Sequence, residues 1–355
     1  MSGTTTEQGT STDLLTSLTR LPVVLLATDG TAQSDPAVRF VRELSERRPV
    51  DVKVLTVVNH LPVPFGGADL QLMADIQREI QRDAMTAVKG QLAARGAEAW
   101  PVSLETGVPA ERISSTATNI NASMIVIGLG GHGLASRLFG SETAVRLVRI
   151  SEIPVLAIAA GFRPAPQRIV VAMDFSEASI EAARLALDFA DKKALVVLAH
   201  CVPWSRNEHV PEEWFRSHEA AITAELTRVT RWLDSDRRFR ISHRILYGRP
   251  AAKLLSYAEE FEADLIVAGT HGRSVLGRVL AGQTVTKVIR GAHCSVLVLP
   301  AAAAFKFSDR LPDRTAAGED IGLRAGTEVA GYGFHGASVA PFDAPASVPS
   351  AEKCL

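Results

Sequence analysis

At 355 residues the chain exceeds one average domain, and 46% apolar with 22% charged residues supply a sizeable core. With 38 basic against 39 acidic side chains, net −1, the charge gives no reason to expect a nucleic-acid or membrane surface. Three cysteines without CxxC spacing (Cys201, Cys294, Cys354) argue against a disulfide framework or a zinc site, and no apolar run approaches the ~18 residues of a membrane span.

Residues 1–19 are polar and lack both the basic start and the apolar stretch of a signal peptide, so a flexible N-terminus and a cytoplasmic location are expected. A first domain is expected over 20–160. Within it Val23–Ala27 is a short apolar run ending in Thr28-Asp29-Gly30-Thr31. Thr106-Gly107-Val108-Pro109-Ala110 follows, then Ala122-Ser123-Met124-Ile125-Val126-Ile127-Gly128, and Pro154–Ala159 closes the copy. Residues 161–167 are a proline-bearing connector.

The second domain, expected over 168–300, repeats these landmarks in order. Ile169–Ala172 ends in Met173-Asp174-Phe175-Ser176, and Ile180, Ala183, Leu187 and Ala190 then recur at helical spacing. Leu195–Cys201 reads as a buried strand, Pro211–Asp234 as a helix, Arg240–Leu246 as a strand, and Pro250–Glu260 as a helix with proline near its first turn. Tyr247-Gly248-Arg249-Pro250-Ala251 echoes the earlier glycine-proline step, and Ala263-Asp264-Leu265-Ile266-Val267-Ala268-Gly269 echoes the strand after it. Ser295–Leu299 is the closing strand. The offset runs from 141 (Gly128 to Gly269) to 145 (Asp29 to Asp174), too long for a solenoid repeat, so each copy is a whole domain. Short apolar strands separated by helices imply a parallel sheet covered on both faces, five strands per copy. Residues 301–355 lose the pattern, being rich in Ala and Gly without an apolar period, and are expected to be a disordered tail.

The chemistry is expected in two loops. Gly269-Thr270-His271-Gly272 leaves a buried strand and is followed, nine residues later, by Gly282-Gln283-Thr284, with a helix expected to begin around Thr284. The first copy has Gly128-Leu129-Gly130-Gly131, eight residues, then Gly140-Ser141. Glycines let backbone N–H groups crowd around an anion, and a helix N-terminus adds unpaired donors and a favourable dipole, so both loops point to phosphate.

Strand–(T/M)D–x–(S/T), then G-x-P-A, then ADLIV-x-GTHGRS and a second glycine, all twice in order, resemble the universal stress protein family in its tandem form, over roughly residues 20–300. The resemblance implies an α/β fold of two doubly wound five-stranded domains, sheet order 3-2-1-4-5, packed as a pseudo-dimer. It implies bound ATP, with or without magnesium. Asp29 and Asp174 would then face the adenosine, with Ala27 and Ala172 beside them. Val57 and Cys201 would offer backbone groups to the adenine. Gly128 and Gly131, with their neighbours His132 and Gly133, would cradle the phosphates of the first site. Gly269, Thr270, His271, Gly272, Arg273 and Ser274 would do so in the second. Gly140-Ser141 would complete the first site and Gly282-Gln283-Thr284 the second. Two departures stand out: the first loop is one residue short, and Gln283 occupies the position after the last glycine where a hydroxyl is usual. The implied role is a nucleotide-dependent regulator in stress response, not an enzyme, with a weak ATPase or a scaffold without nucleotide as alternatives. An unidentified protein partner and a homodimer are the partners expected.

Other chemistries fit less well. Gly128-Leu129-Gly130-Gly131-His132-Gly133 satisfies GxGxxG, but it follows the fourth strand, not the first, and the second copy lacks it. A phospho-receiver would need an acidic pair beside Asp29 or Asp174 and a lysine after strand five; neither is found. His132 and His271 have no carboxylate nearby in sequence to orient them as catalysts. Cys201 and Cys294 read as core residues, and His200 points away from Cys201 because adjacent strand side chains face opposite ways. The edge strands Pro154–Ala159 and Ser295–Leu299 are expected to join the copies, since unpaired edges are best satisfied by another edge.

Overall fold

The computed structural model describes residues 22–61, 70–129, 134–162, 165–203, 212–234, 239–270 and 277–303, with backbone alone at 70, 134–141, 214 and 277–282. In the first half β1 (Val23–Ala27), β2 (Asp51–Val58), β3 (Val102–Thr106), β4 (Met124–Gly128) and β5 (Val155–Ile158) alternate with α1 (Asp35–Arg47), α2 (Leu70–Ala93), α3 (Pro109–Asn119) and α4 (Leu134–Ile150). The second half repeats this with β6 (Arg168–Ala172), β7 (Leu195–Val202), β8 (Arg240–Tyr247), β9 (Leu265–Gly269) and β10 (Ser295–Leu299). Its helices are α5 (Glu177–Phe189), α6 (Glu212–Leu233), α7 (Pro250–Glu260) and α8 (Gly277–Gly291).

The ten strands form one sheet, ordered β3-β2-β1-β4-β5-β10-β9-β6-β7-β8. Read from either outer edge, each half has the order 3-2-1-4-5, as expected. All pairings within a half are parallel; β5 and β10 pair antiparallel, Val155 with Val298, Leu156 with Leu297 and Ala157 with Val296. The expected edge-to-edge junction is therefore present, and it turns two sheets into one. A two-fold perpendicular to the sheet keeps equivalent helices on the same face. One apolar core accordingly runs across both halves on the side of α1, α2, α5 and α6. The other runs across both on the side of α3, α4, α7 and α8. β1, β5 and β10 are buried along their whole length, which explains their unbroken apolar runs. The outermost strands β3 and β8 are only partly covered.

Local sequence sets the helix ends in both halves. Pro109 and Pro250 open α3 and α7, where a missing N–H costs nothing. Those helices end on Asn121 and Glu262 in the left-handed region, with Ala122 N donating to Ala117 O and Ala263 N to Ala258 O, both at 2.8 Å. This is the six-to-one closure that satisfies late carbonyls. In α5 the Ser176 hydroxyl caps the Ser179 amide at 3.2 Å.

Two expectations need correction. The helix after the second glycine loop starts at Gly277, not near Thr284, so Gly282-Gln283-Thr284 lie in its interior. Gly140-Ser141 likewise lie inside α4, which starts at Leu134. Amides at those positions belong to the helical ladder and are not the unpaired donors of a helix start. The tail also begins later than expected: residues 301–303 form a helical turn with Ala303 buried. The remainder of the tail, 304–355, and residues 1–19 lie outside the described residues.

Candidate functional site

In a doubly wound sheet the strand order reverses where β1 meets β4, and ligands favour the carboxyl ends of the strands there. The register places Ala27 beside Ile127 and Ala172 beside Ala268. The Asp29 turn and the Gly128 strand end therefore meet at the first switch point, and the Asp174 turn and Gly269-Thr270 meet at the second. Strand β2 continues past this point: its pairing to β1 ends at Leu55, followed by one bond from Thr28 N to Leu55 O at 3.1 Å. Val57 thus stands beyond the end of β1. Cys201 stands equally beyond β6, whose pairing to β7 ends at Ala199.

Both aspartates are exposed and each closes an Asx turn. Asp29 Oδ1 accepts from Thr31 N at 3.0 Å, Thr31 Oγ1 at 2.7 Å and Ser34 Oγ at 2.8 Å. Asp174 Oδ1 accepts from Ser176 N at 3.0 Å and Ser176 Oγ at 2.5 Å. The two turns are supported differently. In the first half, helix α2 comes down on the turn. The Thr28 hydroxyl donates to Gln91 Oε1 at 2.7 Å, and Gln91 Nε2 donates to Thr31 O at 2.8 Å. Gly30 (φ +77°) sits so close that a Cβ would lie 2.8 Å from the Ala87 backbone. In the second half Met173 replaces Thr28 and Phe175 (φ +61°) replaces Gly30.

Gly128 and Gly269 have a structural reason of their own. A Cβ on Gly128 would lie 2.8 Å from Gln33 O and Ser34 Cα, and one on Gly269 2.8 Å from the Ala178 and Ser179 backbone. Gly128 lets the turn leading into α1 rest on the end of β4, and Gly269 lets the first turn of α5 rest on the end of β9. Thr270 is buried, and its hydroxyl accepts from Ala301 N at 3.1 Å, so it holds the segment after β10. Gln283 is exposed and Thr284 half-buried on α8. Gly131, His132, Gly133, His271, Gly272, Arg273 and Ser274 lie outside the described residues, as do Gly140, Ser141 and Gly282 beyond their helical backbone.

The cysteines behave as core residues. Burial pushes the Cys201 and Cys294 thiols up to about 12, so neither is a thiolate at neutral pH. Cys201 Sγ lies 3.8 Å from Pro250 O on one face of β7. His200 is on the other face with its Nδ1 2.8 Å from Met173 O, as strand alternation requires. Sequence reasoning missed Ser34, Gln91 and the pairing of Phe175 with His200. The D-x-(S/T) spacing signalled the turns, but nothing local pointed to partners tens of residues away. Among the described residues no group of three or more His, Cys, Asp or Glu is placed to hold a metal, and no helix is long and apolar enough to cross a membrane.

Two doubly wound halves sharing one sheet, each with an Asx turn against the glycine end of its fourth strand, define the class: a tandem α/β protein with one candidate switch-point site per half. The sequence model of the universal stress protein family matches residues 22–159 and 166–300. The chain belongs to this family. A universal stress protein of Mycolicibacterium smegmatis is 24% identical over 285 residues, covering 78% of this chain and 96% of that one. One of Mycobacterium tuberculosis is 28% identical over 295 residues, with the same two coverages. The crystal structure of a universal stress protein from Archaeoglobus fulgidus superposes with a TM-score of 0.56 at 21% identity, covering 78% of this chain and 96% of that one. That likeness shows the fold.

Proposed function

We propose that the chain binds ATP at the two switch points and acts as a nucleotide-dependent regulator in stress response. The observation that carries this is the repeated placement of an exposed carboxylate turn, Asp29 or Asp174, beside a β2 or β7 backbone that runs on past its neighbour. Such an arrangement offers a carboxylate to ribose or base and edge-on amide groups to adenine, which is what an adenosine slot needs. The phosphates would meet the glycine loops that follow Gly128 and Gly269 in the sequence, since glycines let backbone N–H groups crowd around an anion. Magnesium, if it takes part, would arrive with those phosphates. Hydrolysis at a metabolic rate would further require an oriented water and cationic stabilisation of the transferring group, and the sequence has no Walker lysine. ATP is therefore held and released as a signal, not consumed.

The test is direct. The purified chain is denatured and any released nucleotide identified by chromatography, with calorimetric titration of ATP on the emptied protein. Nucleotide in the extract or saturable ATP binding, weakened by Asp174→Ala, is the expected result. A chain that carries none and binds none would be a scaffold of the same fold. Turnover at about 1 s⁻¹ or faster, sensitive to mutation of the turn, would instead make it an ATPase.

A further inference from the structure

The two halves build the same turn by different means, and the difference singles out one residue. Gly30 adopts φ +77° without strain, because glycine has no Cβ to crowd the carbonyl. Phe175, at the equivalent place (30 + 145), adopts φ +61°, a conformation that a bulky residue keeps only when its surroundings over-determine it. Phe175 packs against the first core, and among the described residues one aromatic side chain stands out beside it. The Phe175 ring stacks on His200 with centroids 4.8 Å apart and planes 30° apart. His200 Nδ1 lies 2.8 Å from Met173 O, so the imidazole bonds the residue two before Phe175 and packs on Phe175 itself. Between them sits Asp174. In the first half the residue equivalent to His200 is the buried Thr56 (200 − 144), which has no ring to offer and no strained neighbour to hold.

We propose that His200 is the positioning residue of the second site: it pins Met173 and Phe175 on either side of Asp174 and so presents the carboxylate, held in its turn by the Ser176 amide, in a fixed geometry. This rests on the reading of that site as a nucleotide site. A carbonyl only accepts, so Nδ1 carries the proton toward Met173 and Nε2 is the site left to titrate. Burial lowers the pKa of His200, partly offset by the Met173 bond and by Asp174, while His218 on α6 adds to the lowering. The neutral ring with that tautomer is the working state. The first half needs no such device because Gly30 and Gln91 do the same job through helix α2.

The experiment is a double-mutant cycle on the full chain: parent, His200→Ala, Phe175→Gly, and both together. Each is measured by ATP calorimetry and, without ligand, by thermal unfolding. In the parent background His200→Ala is expected to weaken the second site about tenfold. In the Phe175→Gly background the same change is expected to alter it less than about twofold, since glycine takes the turn unaided. Equal losses in both backgrounds would overturn the proposal, because His200 would then act without Phe175. Unchanged affinity of His200→Ala would overturn it too. If no variant binds ATP but the unfolding cycle remains non-additive, the nucleotide reading fails and the hold on the turn stands; an additive cycle sinks the hold itself. Should His200→Ala not fold, His200→Gln retains a donor for Met173 O and completes the same cycle.

Discussion

Leu156 and Leu297 are cross-strand partners and also each other's equivalents in the internal repeat, since 297 − 156 equals the 141 that separates Gly128 from Gly269. The two-fold axis relating the halves therefore passes between these two residues, and both belong to the same core. Everything else at the junction comes in related pairs, which makes departures from symmetry easy to see.

The strongest departure is at Ser295. Its hydroxyl accepts from Ala159 N at 3.0 Å, and both ends of the bond are buried. The equivalents of this pair are Pro154 and Pro300 (each 141 away), which have neither the hydroxyl nor the N–H. One side of the junction thus needs a partner and the other does not. Ser295→Ala should leave the Ala159 amide unpaired and cost about 1–3 kcal/mol. Guanidinium unfolding would read this; a midpoint equal to the parent's would show that the bond contributes nothing.

Across the same axis Arg290 Nη2 reaches Glu142 at 2.9 Å, joining α8 to α4. The symmetric contact would be Arg149 with Gln283 (149 + 141 and 142 + 141), so one charge is missing from the pair. Both partners of the existing bridge are half exposed, so solvent screens it. Arg290→Ala should therefore change stability by less than about 1 kcal/mol. A larger loss in thermal unfolding would mean that the contact is stronger than its exposure allows.

Gly128 and Gly269 should be sensitive to a single methyl. Their would-be Cβ atoms meet backbone, which cannot swing away as a side chain can. Gly128→Ala and Gly269→Ala are each expected to lose about 1–3 kcal/mol by overpacking. Gly90, inside α2 with nothing within 4 Å, is the control. Gly90→Ala should be neutral or stabilising by up to about 1 kcal/mol. If all three substitutions behaved alike, the close approach of α1 and α5 to the strand ends would be wrong.

Two buried groups should give opposite pH dependences at the acid end. Burial raises the pKa of Glu181, whose charge partner among the described residues is Arg184, 3.9 Å away. Its folded form favours the proton, so its contribution is full below the unfolded value and is lost as pH rises through the folded one. Glu181→Gln should then stabilise the protein at neutral pH by on the order of 1 kcal/mol and lose that advantage in acid. His200, with a lowered pKa, contributes fully above its unfolded value of ~6.5, and that is lost as pH falls through the folded value. Melting temperatures of parent, Glu181→Gln and His200→Gln from pH 4 to 8 would separate the two. A Glu181→Gln difference that does not vary with pH would show that the carboxylate pays no desolvation cost.

Much of this protein was set by local pattern. Val23–Ala27 and Leu265–Ala268 are apolar without interruption because a parallel strand is covered on both faces, so their alternation with helices already implied a parallel sheet, and the family resemblance supplied its order. Pro109 and Pro250 marked helix starts, and the recurrence of every landmark at an offset of 141 to 145 residues implied two equal domains joined by edges. Those features depend on neighbours a few residues apart. What the tertiary structure decided depends on contacts between distant residues, which leave no local trace. Gln91 reaches Thr28 across 63 positions, Ala159 reaches Ser295 across 136, and Phe175 keeps its turn through a histidine on the next strand. Gly128 and Gly269 also have a packing role that the sequence did not show, because a loop glycine has the same letter whatever crowds it; only the tertiary structure showed the backbone that a Cβ would meet. The start of α8 at Gly277 was hidden for a related reason: glycines that punctuate a sequence locally can still be carried inside a helix when tertiary packing offsets their small intrinsic cost.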